Sequence, residues 1–303
     1  MKGLFLYPGQ GAQKPGMADA FHGNPQAWER LLIADEVLGF SLSALVTKGP
    51  ADELTLTANA QPALLAVGMA FHDLWTSAGL EPVAAAGHSL GEYTALCAAG
   101  SFLYEDALHL VRVRGQAMQE AVPNGEGGMV ALLGKGDVEA LLGEASEDGC
   151  LVAANLNTPV QTVLSGDAQS IQRATSVAPS FGFRRAVPLS VSAPFHSPLM
   201  QPVAERMADA LSGVEITPPQ WPVASNATGG WHAQEPDEIR RCLVDQIVGA
   251  VQWVQNMETV ATQPGDVWLD VGPGKVVAGM APREDSRPKC HLEAPPLAVG
   301  FLE

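Results

Sequence analysis

Basic residues are scarce in this 303-residue chain: 17 lysines and arginines stand against 33 aspartates and glutamates, a formal charge of −16. That balance argues against nonspecific binding to nucleic acid or to an anionic membrane surface, where affinity comes from neutralising phosphates. Cysteine is scarcer still. Cys97, Cys150, Cys242 and Cys290 lie far apart, with no C-x-x-C pair and no clustered histidines, so neither a disulfide framework nor a metal site is expected. A reducing cytoplasm suits such a chain. No apolar run reaches the roughly 18 residues that a transmembrane helix requires, and the apolar stretch before Pro8 is too short for a signal peptide. Low-complexity tracts and internal repeats are missing too. With 47% hydrophobic and 17% charged residues, the class that remains is a well-packed globular protein, either one large domain or a large domain carrying a smaller one.

What the chain does have is Gly87-His88-Ser89-Leu90-Gly91, placed directly after the apolar run Val83-Ala84-Ala85-Ala86 and directly before a helix-like run from Glu92 to Ala99. A G-x-S-x-G pentapeptide at a strand-to-helix turn needs small flanking residues, because the turn is tight and a Cβ there would collide with its neighbours. The serine is then held at the tip, at a helix N-terminus whose unpaired N–H groups can stabilise an oxyanion. Ser89 is the candidate nucleophile.

Around it the chain alternates strands and helices. The sequence predicts strands at 4–7 and 83–86, the first running into the glycine-rich turn Pro8-Gly9-Gln10-Gly11. It predicts helices from Pro62 to Ala78 and from Tyr104 to Ala121, the latter carrying Arg112 and Arg114. Beyond Pro123-Asn124-Gly125-Glu126-Gly127-Gly128 the expected order is strand 129–133, helix 137–145, strands 151–155 and 161–165, helix 167–177 and strand 185–189. Asp137 and Asp167 serve as N-caps. This βαββαβ order is the split ferredoxin-like unit. The α/β pattern resumes near Val191, with a helix opened by Ser197-Pro198, a strand at 223–226, helices at 237–248 and 253–262, and a strand at 267–271. The expected fold class is α/β: a large α/β-hydrolase-like domain with a parallel sheet, residues 1–123 and 191–303, and a small inserted ferredoxin-like domain, residues 124–190.

A serine hydroxyl needs a base, and imidazole has the right pKa near neutrality. His88 adjoins the serine but points away on an elbow, so packing or lining the rim is its expected role. His22, His72, His109 and His232 read as surface or structural residues. His196 sits in Ser192-Ala193-Pro194-Phe195-His196-Ser197, a stiff loop after a strand, where a side chain is aimed at low entropic cost. His291 competes, because Ser89, Asp270 and His291 follow the chain order of α/β-hydrolase triads. On residue types alone both remain open.

Five ordered motifs then accumulate: Tyr7-Pro8-Gly9-Gln10-Gly11-Ala12-Gln13; G-H-S-L-G-E-Y from Gly87 to Tyr93; Val113-Arg114-Gly115 with Met118-Gln119-Glu120-Ala121; Pro194-Phe195-His196-Ser197; and Asp270-Val271-Gly272-Pro273-Gly274-Lys275. Together they closely resemble the malonyl-CoA:acyl-carrier-protein transacylases, up to about Met280. The resemblance implies that Ser89 takes the malonyl group of malonyl-CoA as an ester, with His196 as general base, and passes it to the phosphopantetheine thiol of an acyl carrier protein. Malonyl-CoA is then a substrate, and no permanently bound cofactor or metal is expected. It implies an oxyanion hole from the N–H groups of Gln10 and Leu90, a carboxylate-binding Arg114 in place of a surface arginine, and a Phe195 that crowds branched acyl groups. The histidine is to be oriented by the backbone carbonyl of Gln246. Asn155 and Asn157 either polarise the cleft or cap turns. Exposed cations to meet an acidic carrier are sought in Arg184, Arg185, Lys275 and Arg283. A loading acyltransferase of a polyketide assembly line, a thioesterase or esterase that uses water, and an idle carrier-binding module remain as alternatives.

Overall fold

The computed structural model of the protein describes residues 1–123, 125–189, 191 and 193–291. Leu4, Phe5, Leu6 and Tyr7 are all fully buried. A strand covered on both faces has no solvent side, so its sequence is continuously apolar. These residues belong to β1 (Lys2–Tyr7), followed by α1 (Pro25–Leu38), α2 (Leu42–Lys48), α3 (Ala51–Thr55) and α4 (Thr57–Ser77). Then come β2 (Glu81–Gly87), α5 (Leu90–Ala98) and α6 (Tyr104–Glu120). The three helices α1 to α3 occupy a stretch for which the sequence predicts no element.

Helix α4 starts at Thr57 instead of Pro62, with the proline inside it. Proline lacks the N–H that would bond the carbonyl four residues back. Arg112 Nη1 of α6 supplies that bond, donating to the Ala58 carbonyl at 2.5 Å, so the helix continues through the proline.

A second unit follows: β3 (Gly127–Leu133), α7 (Val138–Ser146), β4 (Leu151–Thr158), β5 (Gln161–Asp167), α8 (Ala168–Val177) and β6 (Arg185–Pro188). Its strands form an antiparallel sheet in the order β4-β5-β3-β6, the ferredoxin-like arrangement. Asp137 and Asp167 cap α7 and α8, accepting from Ala140 N and Ser170 N at 3.0 and 2.9 Å. Val130, Leu132, Leu141, Leu164 and Phe183 give this sheet a core of its own.

The chain then returns through α9 (Gln201–Ser212), β7 (Val223–Ala224), α10 (Pro236–Val248), α11 (Trp253–Ala261), β8 (Val267–Asp270) and β9 (Lys289–His291). The large sheet is parallel throughout, ordered β7-β2-β1-β8-β9. A broad apolar core that includes residues of α1, α4, α5 and α6 contains Phe5 and Tyr7, and a second core including Trp253 and Met257 of α11 contains Leu4 and Leu6. The sheets are joined where β4, an edge strand, pairs with the segment after α10: Leu156 N donates to Val251 O at 3.0 Å, and Val251 N to Ala154 O at 2.8 Å.

Candidate active site

Ser89 joins β2 to α5 with φ 51° and ψ −106°, a left-handed backbone that a residue with a side chain adopts only under constraint. The glycines explain the constraint. A Cβ on Gly87 would lie 1.9 Å from the Gly91 carbonyl, and one on Gly91 would lie 2.2 Å from the Tyr7 oxygen. The elbow is therefore pressed against the end of the central strand. Two side chains from distant segments pin its backbone: Ser89 N–H donates to Asn226 Oδ1 at 2.7 Å, and Gln246 Nε2 donates to the Ser89 carbonyl at 2.9 Å.

The Ser89 hydroxyl lies 2.8 Å from His196 Nε2. On the other side of the ring, His196 Nδ1 is 2.7 Å from the Gln246 carbonyl. A carbonyl only accepts, so Nδ1 carries the proton and Nε2 of the neutral ring is left to accept from the serine. His196 also has a positive φ, 57°, so both members of the pair sit in strained backbone. Burial, followed by the positive charge of Arg114, lowers the His196 pKa to about 3. The imidazole is neutral at neutral pH, the form a base needs.

Arg114 reaches this pair from α6 and is 1% exposed. Its Nη1 donates to Gln61 Oε1 at 2.9 Å, and its Nη2 to Gln246 Oε1 at 2.8 Å and to Ser89 Oγ at 3.1 Å. The guanidinium carbon lies 5.5 Å from the centre of the Tyr93 ring. All three hydrogen-bond acceptors are neutral. A cation buried against neutral oxygens gains from an incoming anion, and its planar fork suits a carboxylate.

Ser89, His196 and Arg114 open onto a cleft of about 380 Å³, which Gln10, Leu90 and Phe195 also line. Leu90 is the first residue of α5, where helix N–H groups have no intrahelical acceptor. The turn carrying Gln10 is laid on the elbow by Gly9, whose missing Cβ would sit 2.4 Å from the His88 carbonyl. Gln10 Nε2 bonds Thr57 Oγ1 at 3.1 Å. Asn155 and Asn157 of β4 form part of the wall. Asn157 accepts from His88 Nε2 at 2.8 Å, and His88 packs edge-on against Trp253.

Asp270 and His291 are register neighbours in β8 and β9, but neither lines the cleft. Asp270 instead accepts from Ala278 N at 2.8 Å. Among the described residues the imidazole bonded to Ser89 is that of His196. Two residues of the site, Gln61 and Asn226, carry no expectation from sequence and have no local signal. Among the described residues no group of three or more His, Cys, Asp or Glu side chains could hold a metal ion.

Comparison with known proteins shows the family. The acyl transferase domain family matches residues 4–278. A malonyl CoA-acyl carrier protein transacylase of Bacillus subtilis is 42% identical over 97% of this chain and 94% of its own length. An acyl-carrier-protein S-malonyltransferase of Burkholderia pseudomallei superposes with a TM-score of 0.93 at 42% identity, covering 97% of each chain. A malonyl-transacylase solved in complex with a type II PKS acyl-carrier protein superposes with a TM-score of 0.93 at 35% identity, again over 97% of each chain. Matched over nearly its whole length, the chain belongs to the acyl transferase family.

Proposed function

We propose that the chain transfers a malonyl group from malonyl-CoA to the phosphopantetheine thiol of an acyl carrier protein by way of a malonyl ester on Ser89. The observation that carries this reading is a buried guanidinium with neutral partners, 3.1 Å from a serine hydroxyl that is itself 2.8 Å from an imidazole. The cation recognises the free carboxylate of the acyl group; the pair does the chemistry. His196 Nε2 takes the hydroxyl proton as Ser89 Oγ attacks the thioester carbonyl, and the N–H groups of Gln10 and Leu90 receive the oxyanion. Collapse breaks the C–S bond, and coenzyme A leaves with the proton returned by His196. The carrier thiol then repeats the cycle in reverse, giving its proton to His196 and regenerating the serine hydroxyl. The Gln246 carbonyl holds the ring throughout, replacing the carboxylate of a three-residue triad. Phe195, beside the base, crowds a branched acyl group.

Residues 124–190 serve in this reading as an inserted domain that supplies one wall of the cleft. Arg184, Arg185, Lys275 and Arg283 are exposed, and Lys275 adjoins the cleft-lining Val276, which favours it as a contact for an acidic carrier. Relatives named for transfer to acyl carrier proteins, and one solved with such a carrier, support the choice of acceptor.

Labelled malonyl-CoA, rapid quenching and peptide mass mapping test the reading. The label is expected on Ser89 and is chased onto a phosphopantetheinylated carrier faster than it is lost to water. Label elsewhere, or release as free malonate ahead of transfer, overturns it in favour of a different nucleophile or of a thioesterase.

A further inference from the structure

Beneath the elbow lies a buried acid–base pair that the transfer chemistry does not touch. The side chains of Glu92 and His232 are both 0% exposed, with Glu92 Oε1 2.7 Å from His232 Nε2. The same oxygen accepts from the main-chain N–H of Asn226 at 3.1 Å, and Glu92 Oε2 accepts from Gln246 Nε2 at 2.5 Å. Burial works against a charge on His232, but Cys242 and the Glu92 carboxylate outweigh it and raise its pKa to about 9. At neutral pH the two form an ion pair.

The consequence lies in the Gln246 side chain. A carboxamide has almost the same shape when its oxygen and nitrogen are exchanged, so packing alone cannot decide which end faces which way. Here the charges decide it. One end faces three oxygens that only accept, Glu92 Oε2, the Ser89 carbonyl and, at 3.4 Å, Asn226 Oδ1, and must be the NH₂ group; the other faces the Arg114 guanidinium, which only donates, and must be the oxygen. From His232 to Arg114 the order is cation, anion, amide dipole, cation, each facing its complement.

We infer that Glu92 and His232 are positioning residues for acyl selection: the carboxylate fixes the sense of the Gln246 amide, whose oxygen then holds Arg114 with Nη2 at Ser89 Oγ, ready for the carboxylate of the acyl group. The inference rests on the reading of Arg114 as the carboxylate-binding residue. In Glu92→Gln the oxygen must stay toward the Asn226 N–H, which cannot accept. The new NH₂ group then meets the Gln246 NH₂, which the Ser89 carbonyl still holds; two donors oppose each other, and the Gln246 side chain is pushed off the guanidinium. Arg114 is displaced while Ser89 and His196 keep their mutual contact.

A double-mutant cycle tests this, read as the ratio of kcat/KM for malonyl-CoA to kcat/KM for acetyl-CoA. Glu92→Gln is expected to lower the ratio roughly tenfold or more, the scale of one hydrogen bond to a charged group. Gln246→Met is expected to lower it similarly, and the double variant to be no worse than Gln246→Met alone. Equal losses for both substrates in Glu92→Gln, or losses that multiply in the double variant, overturn the inference. Should Glu92→Gln fail to fold, Glu92→Met with His232→Leu removes both charges together, the change that buried pairs tolerate best, and carries the same expectation. Arg114→Met in the same assay separates the two levels. If it leaves the ratio unchanged, the reading of Arg114 falls and takes this inference with it; if it collapses the ratio while Glu92→Gln does not, only the present inference falls.

Discussion

Replacing Arg114 with methionine removes a charge and little volume from a position that is 1% exposed, and the structure gives it two separable effects. The first is loss of substrate. A hydrogen bond to a charged group contributes about 1.5–3 kcal/mol, so two parallel bonds to the malonyl carboxylate amount to about 3–6 kcal/mol. At about 1.4 kcal/mol per decade, kcat/KM for malonyl-CoA should fall roughly 10²- to 10⁴-fold. Acetyl-CoA offers no carboxylate and should lose far less. The second effect falls on the base. After burial, the Arg114 charge is the largest influence lowering the His196 pKa to about 3, so its removal raises that pKa. His196 must be neutral to accept the serine proton, and a higher pKa means that protonation shuts the reaction down at a higher pH. The acid limb of the acetyl-CoA profile should therefore move to higher pH in Arg114→Met than in the parent chain. Initial rates of coenzyme A release with both substrates, from about pH 2 to 8, measure both effects together. Equal losses with the two substrates would refute the role of the guanidinium. An acid limb that stays put or moves lower would refute its influence on the base.

Gly91→Ala places a methyl group 2.2 Å from the main-chain oxygen of Tyr7, a contact that no side-chain rotation relieves. It should cost about 1–3 kcal/mol in urea unfolding and abolish labelling of Ser89, and a variant that is both stable and labelled would contradict the close contact of elbow and strand. The Glu92–His232 pair predicts the alkaline side of the stability curve. His232 is raised from 6.5 to about 9 on folding, so its contribution is complete below about pH 6.5 and is lost as pH climbs through about 9, on the order of 3 kcal/mol in all. Urea midpoints should fall across that window and do so less in Glu92→Gln; identical slopes for the two chains would contradict an ion pair.

Much of this architecture is local enough to be read from residues. The elbow is legible because steric demand at Gly87 and Gly91 leaves a mark on composition, and α7 and α8 are legible because Asp137 and Asp167 cap their own helices. Helix α1 also carries local signals, an Asn24 that accepts from Ala27 N and Pro25 at its first position. Its buried residues are only Ala27, Leu31 and Ala34, too small a stripe to stand out. Pro62 misplaces the start of α4 because the remedy for its missing N–H comes from Arg112, on another helix. The site divides in the same way. Ser89 is marked by its neighbours, whereas the choice between His196 and His291 is a matter of distance. Arg114 looks like a surface helix residue in the sequence, and only the packing of α6 shows it buried beside Ser89. Asn226 and Gln246 hold Ser89 from 137 and 157 positions away, and nothing in their immediate neighbours announces that contact.

The bridge between β4 and Val251 has a bearing on how a bulky thioester gets in. Val251 follows shortly after Gln246, whose carbonyl steers the imidazole, and the strand it meets carries the asparagine bonded to His88. Swinging the small sheet outward would drag at once on the segment that follows Gln246 and on His88, the residue before the nucleophile. An incoming thioester thus meets a small sheet tied to the site at two points, so that any displacement of that sheet is felt at the imidazole and at the residue before the nucleophile.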